Sequence, residues 1–185
     1  MPKMMTAALL TKLNAPLELV KVPVPEIAND EVLVKLETNG LCFTDVQIWK
    51  GEHAPPSLPL IMGHEGIGRV VATGSNATRL RVGDRVGIGY VHGACGHCRD
   101  CLTGGENYCP EFTATGYSQP GCFAEFVALR DHWTNKIPEG IDPIEAAPLM
   151  CAGAAAYASL KRTGVQTGDT IAIFGMGGLG QYCVQ

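Results

Sequence analysis

The chain of 185 residues has few charged side chains and no excess of basic ones. Asp, Glu, Lys and Arg make up 17% of the sequence, and the formal net charge is −4. Nucleic acids and anionic membranes attract proteins with clustered Lys and Arg, so this balance excludes both as partners. A long apolar run is also missing. The uncharged stretch of residues 146–160 falls short of the roughly 20 residues of a membrane helix and is interrupted by Pro148.

The N-terminus shows no export signal, because its apolar core, residues 7–10, is too short for a secretory signal peptide. We therefore predict a cytoplasmic protein. Glycine and cysteine, by contrast, are plentiful, with 23 and eight residues. Many glycines favour turns and close backbone approaches, which are typical of a β-rich body. In a cytoplasmic chain, clustered cysteines more often bind metal than form disulfides.

The pattern of apolar residues changes near residue 142. Before it, alternating segments such as residues 31–36 predict strands. After it, Asp142 is a predicted helix N-cap, and residues 170–174 form a predicted short apolar strand. We expect a mainly β domain over residues 1–152, followed over residues 153–185 by the first βα unit of an α/β domain.

Four cysteines form a compact cluster in the glycine-rich lobe of residues 93–116. They are Cys95, Cys98, Cys101 and Cys109. Four thiolates around one ion form the usual structural zinc site. An iron–sulfur cluster is the alternative, because the first spacings and Pro110 resemble a ferredoxin motif, although the last gap is too long. Zinc is the favoured interpretation, and a brown protein that absorbs near 400 nm would reverse it.

A second metal site is suggested by Cys42, His64 and Cys151, which lie far apart in sequence. Two cysteines and one histidine with an open fourth position form a catalytic zinc set. Each residue taken alone is compatible with an ordinary place in the core. Their surroundings favour a site, because residues 63–66 flank the histidine with glycines, and residues 44–45 add a hydroxyl and a carboxylate after Cys42.

Residues 175–180 read Gly-Met-Gly-Gly-Leu-Gly, between the predicted strand and a predicted helix. This is the context of a dinucleotide-binding loop, in which the cofactor pyrophosphate lies at the helix N-terminus. The candidate cofactor-binding residues are Gly175, Gly177, Gly178, Leu179 and Gly180. The acidic residue that reads the ribose comes roughly 20 residues later. The choice between NAD and NADP therefore stays open.

These motifs together resemble the zinc-containing alcohol dehydrogenases of the medium-chain dehydrogenase/reductase family. Residues 63–77 match the signature of these enzymes, residues 40–45 resemble their first-ligand motif, and residues 150–153 resemble their third-ligand motif. The similarity extends over residues 7–185 and is greatest to the yeast-like and bacterial ethanol-type branch. It implies a GroES-like catalytic domain followed by the start of a Rossmann domain.

The resemblance assigns roles to individual residues near the second site. It implies that Cys42, His64 and Cys151 hold a catalytic zinc. Glu65 would lie beside the metal or serve as an exchangeable fourth ligand. Asp45 would orient His64 through its other ring nitrogen.

The resemblance also implies a substrate pocket next to this zinc. Thr44 would bind the alcohol oxygen and take its proton, with Trp49 and Tyr90 as pocket walls, although an ordinary core role is equally compatible with both aromatics. Two positions depart from the family pattern. Gln47 replaces a histidine of the proton relay, and Phe43 replaces a His or Arg that contacts the cofactor pyrophosphate.

The expected function is hydride transfer between a primary or secondary alcohol, or an aldehyde or ketone, and NAD or NADP, with two zinc ions per chain. The partner would be a small alcohol or aldehyde, and the full-length protein a homo-oligomer. The alternative is a zinc-binding GroES-like module without dehydrogenase turnover. A zinc-free quinone reductase is disfavoured, because such relatives lack the cysteine lobe. Cys122 and Cys183 have no assigned role and are predicted to be buried thiols.

Overall fold

A computed structural model describes residues 3–185, which form ten strands and five α-helices. The strands are β1 (Met4–Leu10), β2 (Glu18–Pro23), β3 (Glu31–Asn39), β4 (Leu60–Ile61), β5 (Gly66–Thr73), β6 (Arg85–Ile88), β7 (Val91–Gly93), β8 (Thr113–Ala114), β9 (Phe126–Arg130) and β10 (Asn135–Lys136). The helices are α1 (Phe43–Lys50), α2 (Arg99–Leu102), α3 (Pro143–Ala146), α4 (Ala152–Thr163) and α5 (Gly178–Val184). Strands therefore dominate the first 136 residues, as the sequence predicts.

The body consists of antiparallel sheets. A five-stranded sheet has the order β10-β6-β5-β3-β9, a three-stranded sheet has the order β2-β1-β4, and β7 pairs with β8. The interior strand β3 confirms the predicted alternation. Val32 and Val34 are fully buried, and Val34 lies opposite Val70 on one neighbour and Val127 on the other. These side chains form the main core of the large sheet.

Strand β5 begins immediately after the two predicted site residues His64 and Glu65, and its glycines allow very close packing. A Cβ atom at Gly66 would lie 2.7 Å from the sulfur of Cys122. Gly63 adopts a left-handed conformation with a φ of 92°, which side chains disfavour. The glycines around this pair thus place the histidine and the glutamate deep in the body.

The helical segment after residue 142 begins as predicted. The Asp142 carboxylate caps α3 by accepting a hydrogen bond of 2.8 Å from the Ile144 N–H. Helix α4 runs for 12 residues and ends at Gly164, which is left-handed. Within residues 3–185, no helix is long and apolar enough to cross a membrane.

The predicted strand at residues 170–174 is not formed as a paired strand. None of the strands described within residues 3–185 pairs with it, and the Phe174 side chain is 96% exposed. A parallel strand becomes stable only between neighbouring strands that cover its apolar faces, so sequence alone does not make this segment a strand. The helix of the predicted βα unit does form, as α5.

Candidate metal centres and active site

The four cysteines of the lobe converge on one point. Their sulfur atoms all lie within 4.8 Å of one another, and the Cys95–Cys101 and Cys98–Cys101 sulfur separations are 3.9 and 3.5 Å. Four sulfurs bound at 2.3 Å to one tetrahedral ion lie about 3.8 Å apart. The arrangement therefore fits a single ion and leaves no room for a cluster of several irons and sulfides.

Short local structure holds the lobe in this shape. Helix α2 starts at Cys98, and the backbone N–H groups of Cys98 and Cys101 point at preceding sulfurs, at 3.3 and 3.5 Å. Such N–H groups stabilise thiolates. The backbone N–H of His97, as the largest contribution, and that of Cys98 lower the pKa of Cys95 to about 6. The lobe is thus prepared to present anionic sulfur to a cation.

The second centre brings together Cys42, His64, Glu65 and Cys151, whose ligand atoms also lie within 4.8 Å of one another. The two sulfurs are 3.6 Å apart although the cysteines are 109 residues apart in sequence. Cys42 immediately precedes α1, and Cys151 immediately precedes α4. The fold therefore assembles the donor set from three separate junctions, two of which are helix starts.

The imidazole of His64 gives the clearest sign that this centre binds a cation. The side chain is fully buried, yet neither ring nitrogen has a hydrogen-bond partner among the described residues. Asp45 Oδ1 lies 3.5 Å from Nδ1, which is too far for a good hydrogen bond. Unpaired buried polar atoms are costly. A metal ion on one nitrogen and a tightened Asp45 contact on the other would satisfy both.

Charges at the second centre are strongly coupled. A hydrogen bond with Cys151 lowers the pKa of Cys42 to about 3 in spite of burial, and the pKa of Cys151 is correspondingly raised. Burial on its own lowers the pKa of His64, but Asp45 and Cys42 outweigh it and raise this pKa to about 9. Without metal, the centre thus keeps protons on Cys151 and His64, and a divalent cation would displace them.

Asp45 and Glu65 are fixed by the backbone around them. Asp45 is buried and accepts hydrogen bonds from the N–H groups of Cys42, at 3.0 Å, and Gly63, at 3.2 Å. It thereby links the two loops that carry the ligands. Glu65 lies against Gly40, whose N–H donates to its carbonyl oxygen at 3.0 Å. Burial raises the pKa of the Glu65 carboxyl.

The second centre lies between two cavities. The larger, of about 910 Å³, is bordered by Cys42, Glu65 and Cys151 and by all five glycine-loop residues predicted to bind the cofactor. The smaller, of about 420 Å³, is lined by Thr44, Gln47, Glu52, His53, His64, Tyr90 and Cys151. Thr44, Gln47 and Cys151 border both cavities. A ligand in either cavity would therefore lie next to the metal-binding side chains.

The glycine loop has the geometry that its sequence predicts. Gly175 is left-handed with a φ of 94°, and helix α5 starts immediately after Gly177. A Cβ atom at Gly180 would clash with the carbonyl oxygen of Gly175. Phe43 also lines the large cavity and is 67% exposed, so the position that departs from the family pattern faces the same space.

Tyr90 lines the smaller cavity, whereas the other predicted pocket wall, Trp49, does not. The Trp49 indole N–H donates to the carbonyl of Ala15 at 2.6 Å, and the ring packs on a separate core cluster. The helical period explains this difference. Residues three apart share a helix face, as Thr44 and Gln47 do, but Trp49 is two positions beyond Gln47 and points elsewhere.

The residue that sequence reasoning missed is His53. Helix α1 ends at Gly51, whose φ of 81° turns the chain back, and His53 then lines the cavity beside Tyr90. A lysine and a glycine at the end of a predicted helix are a recognisable C-cap signal. Reading Lys50-Gly51 in this way could have directed attention to the residues just after the helix.

The two cysteines without assigned roles differ from each other. Cys122 is buried, as predicted, and burial raises the pKa of its thiol. Cys183 is only half-buried and lines the large cavity, so its prediction as a buried thiol is wrong. Its position in the last turn of the exposed glycine-loop helix explains the difference, because few residues cover that helix.

Comparison with known proteins identifies similar sequences. The family model described as the alcohol dehydrogenase GroES-like domain matches residues 28–139. A protein named alcohol dehydrogenase from Geobacillus stearothermophilus is 43% identical over 182 residues, which cover 98% of this chain and 54% of that protein. An alcohol dehydrogenase from Moraxella sp. (strain TAE123) is 41% identical over the same shares. The chain thus spans about half the length of these curated relatives.

Solved structures share the fold over nearly the whole chain. A cinnamyl alcohol dehydrogenase of Sorghum bicolor aligns with a TM-score of 0.90 at 29% identity, covering 98% of this chain and 54% of that one. A cobalt- and zinc-bound thermostable alcohol dehydrogenase of Pyrobaculum aerophilum aligns with a TM-score of 0.91 at 28% identity, covering 98% and 56%. A zinc-binding dehydrogenase of Sinorhizobium meliloti, bound to NADP, aligns with a TM-score of 0.89 at 33% identity, covering 98% and 52%.

Proposed function

Because this chain belongs to the family of alcohol dehydrogenase GroES-like domains, we propose that it is the catalytic part of a zinc-dependent alcohol dehydrogenase. The reaction would transfer hydride between a primary or secondary alcohol and a nicotinamide cofactor. One observation carries the proposal: Cys42, His64 and Cys151 converge beside two cavities, and the nitrogens of the buried imidazole have no hydrogen-bond partner within residues 3–185. The cysteine lobe would hold a second, structural zinc.

The proposed division of the chain places the catalytic domain in residues 1–152 and the beginning of the dinucleotide-binding domain in residues 153–185. Support comes from the left-handed glycine and the helix start at the loop of residues 175–180. Similar solved structures contain NADP, in the Sinorhizobium meliloti protein, and NADH, in an alcohol dehydrogenase of Escherichia coli CFT073. The large cavity would accordingly receive the nicotinamide cofactor.

The residues of the second centre suit this reaction. A zinc ion held there would act as a Lewis acid and bring the pKa of an alcohol hydroxyl toward neutrality. Thr44 borders both cavities, and its hydroxyl would accept the substrate proton. Asp45 would keep the His64 ring in place for metal binding. Gln47 cannot titrate, so the proton taken up by Thr44 must pass to water.

The proposal is tested with the full-length protein by measuring bound zinc together with nicotinamide-dependent oxidation of ethanol and benzyl alcohol. Cys151→Ala removes one ligand of the second centre and leaves the lobe intact. This variant should lose roughly half of the zinc and all turnover. Cys122→Ala is the matched control, because this buried cysteine belongs to neither centre. Full zinc content and turnover in Cys151→Ala would refute the assignment.

A second candidate is a zinc-binding module without dehydrogenase turnover. Calorimetric titration with NADH separates the two candidates. Zinc at both centres without nicotinamide binding would support the module, whereas binding with alcohol oxidation supports the enzyme.

A further inference from the structure

The smaller cavity beside the second metal centre carries several hydrogen-bonding side chains on its walls. Seven residues line it, and none of them is aliphatic. Apart from the metal-binding side chains, the lining consists of Thr44, Gln47, Glu52, His53 and Tyr90. A hydrocarbon chain in this space would leave hydrogen-bonding groups without partners, and unpaired polar groups are costly when a ligand covers them.

His53 is held firmly in this wall. Its ring stacks on Tyr117 with centroids 4.3 Å apart and planes inclined by 9°. Its backbone N–H donates to the carbonyl of Gln47 at 3.2 Å, and the Tyr117 hydroxyl donates to the carbonyl of the neighbouring Ala54 at 2.9 Å. A polar group that is already fixed loses little entropy when it binds a ligand.

The pair formed by His53 and Tyr90 lies close to the metal-binding imidazole. His53 Nε2 is 3.3 Å from the Tyr90 hydroxyl, and the Tyr90 ring meets the His64 ring edge-on with centroids 5.1 Å apart. No hydrogen bond occupies His53 Nδ1 within residues 3–185. The pair therefore offers both donor and acceptor capacity a short distance from the position where an alcohol would react.

We infer that the substrates are alcohols with a second hydroxyl group close to the reacting one, namely 1,2-diols and longer polyols, and that His53 together with Tyr90 binds this second hydroxyl. The inference rests on the proposed dehydrogenase function and specifies its substrate class. In the reaction, the C–H bond of the reacting carbinol breaks and its hydride passes to the oxidised nicotinamide. The hydroxyl proton leaves through Thr44, and the second hydroxyl remains unchanged.

The experiment compares propane-1,2-diol with propan-1-ol, which have equal numbers of carbons, as substrates of the zinc-loaded full-length protein. The diol should have a kcat/KM about tenfold higher, which corresponds to one good hydrogen bond. His53→Phe keeps a ring to stack on Tyr117 but removes the polar atoms, so it should abolish this preference. His132→Phe makes the same exchange outside the cavity and should retain the preference.

A ratio of two substrates is insensitive to partial unfolding, so loss of preference in His53→Phe would not be a folding artefact. A second readout does not depend on turnover. The nitrogen-15 shifts of the His53 ring, recorded without nicotinamide, should move on titration with the diol and stay constant with propan-1-ol. A preference for propan-1-ol, or equal preference in the wild type and His53→Phe, would overturn the inference and leave the dehydrogenase proposal standing. Absence of all alcohol oxidation would refute the dehydrogenase proposal, and the nitrogen-15 titration would still decide diol binding.

Discussion

Replacement of Gly66 by alanine should destabilise the protein through overpacking at one defined point. Gly66 is the first residue of β5 and directly follows His64 and Glu65. Its Cβ atom would lie 2.7 Å from Cys122 Sγ, 2.9 Å from Leu36 Cδ2 and 3.0 Å from Ile88 Cδ1. Real Cβ atoms do not approach other heavy atoms this closely, so the core must shift. An added methylene in a packed core costs about 1–3 kcal/mol.

The assay is urea unfolding of the zinc-saturated protein, with the midpoint and the slope measured separately. Gly66→Ala should lower the midpoint at an unchanged slope. Gly140→Ala is the matched control, because nothing lies within 4 Å of its Cβ position, and its effect should remain within about 0.5 kcal/mol.

The atom closest to the new Cβ is the sulfur of Cys122, so Cys122→Ala should restore part of the stability lost in Gly66→Ala. In a double-mutant cycle, Gly66→Ala with Cys122→Ala should be more stable than the sum of the single effects predicts, by at least about 0.5 kcal/mol. The reasoning would be refuted if Gly66→Ala proved as harmless as Gly140→Ala, or if the two core effects were strictly additive.

Three further outcomes follow from the site and the core. Cys98→Ser removes one sulfur of the lobe, so elemental analysis should find roughly half of the zinc lost, and unchanged zinc would contradict the ligand assignment. Gln47→His places an ionisable group on the same helix face as Thr44, so the profile of kcat against pH should gain an ionisation near neutrality; an unaltered profile would rule out a relay at this position. His92 is buried, and burial lowers the pKa of its imidazole. Below about pH 6.5 the unfolded chain therefore binds a proton at this position more readily than the folded protein does. The free energy of unfolding should fall as the pH falls, by at most about 1.4 kcal/mol per pH unit. His92→Phe should flatten this dependence in urea unfolding at pH 5–7, and an identical slope in the variant would show that another group is responsible.

The candidate metal ligands could be identified from the sequence because most of them lie in short local motifs. The lobe spacing alone indicates four converging sulfurs, and the glycines around His64 indicate a tightly packed turn. The convergence of Cys42 with Cys151 does not follow from local motifs, because no local rule connects residues 109 positions apart. Only the resemblance to a known family predicted that these two would meet.

The errors arose where a side chain depends on its neighbours in space. The family resemblance suggested Trp49 as a pocket wall, with an ordinary core role equally compatible, and the helical period turns it toward the core. His53 was missed because its position is set by the turn at Gly51. Residues 170–174 remain a predicted strand: they pair with no strand within residues 3–185, and a parallel strand needs neighbours across the sheet.

The wide spacing of the second ligand set has a consequence for biosynthesis. The lobe cysteines Cys95 and Cys109 are only 14 residues apart, so a nascent chain can capture zinc there soon after the lobe leaves the ribosome. The ligand set that contains Cys42 can form only after Cys151 has been translated, and closing this much longer loop costs more chain entropy. The two proposed zinc ions should therefore bind in a fixed order during synthesis, with the proposed catalytic position filled last.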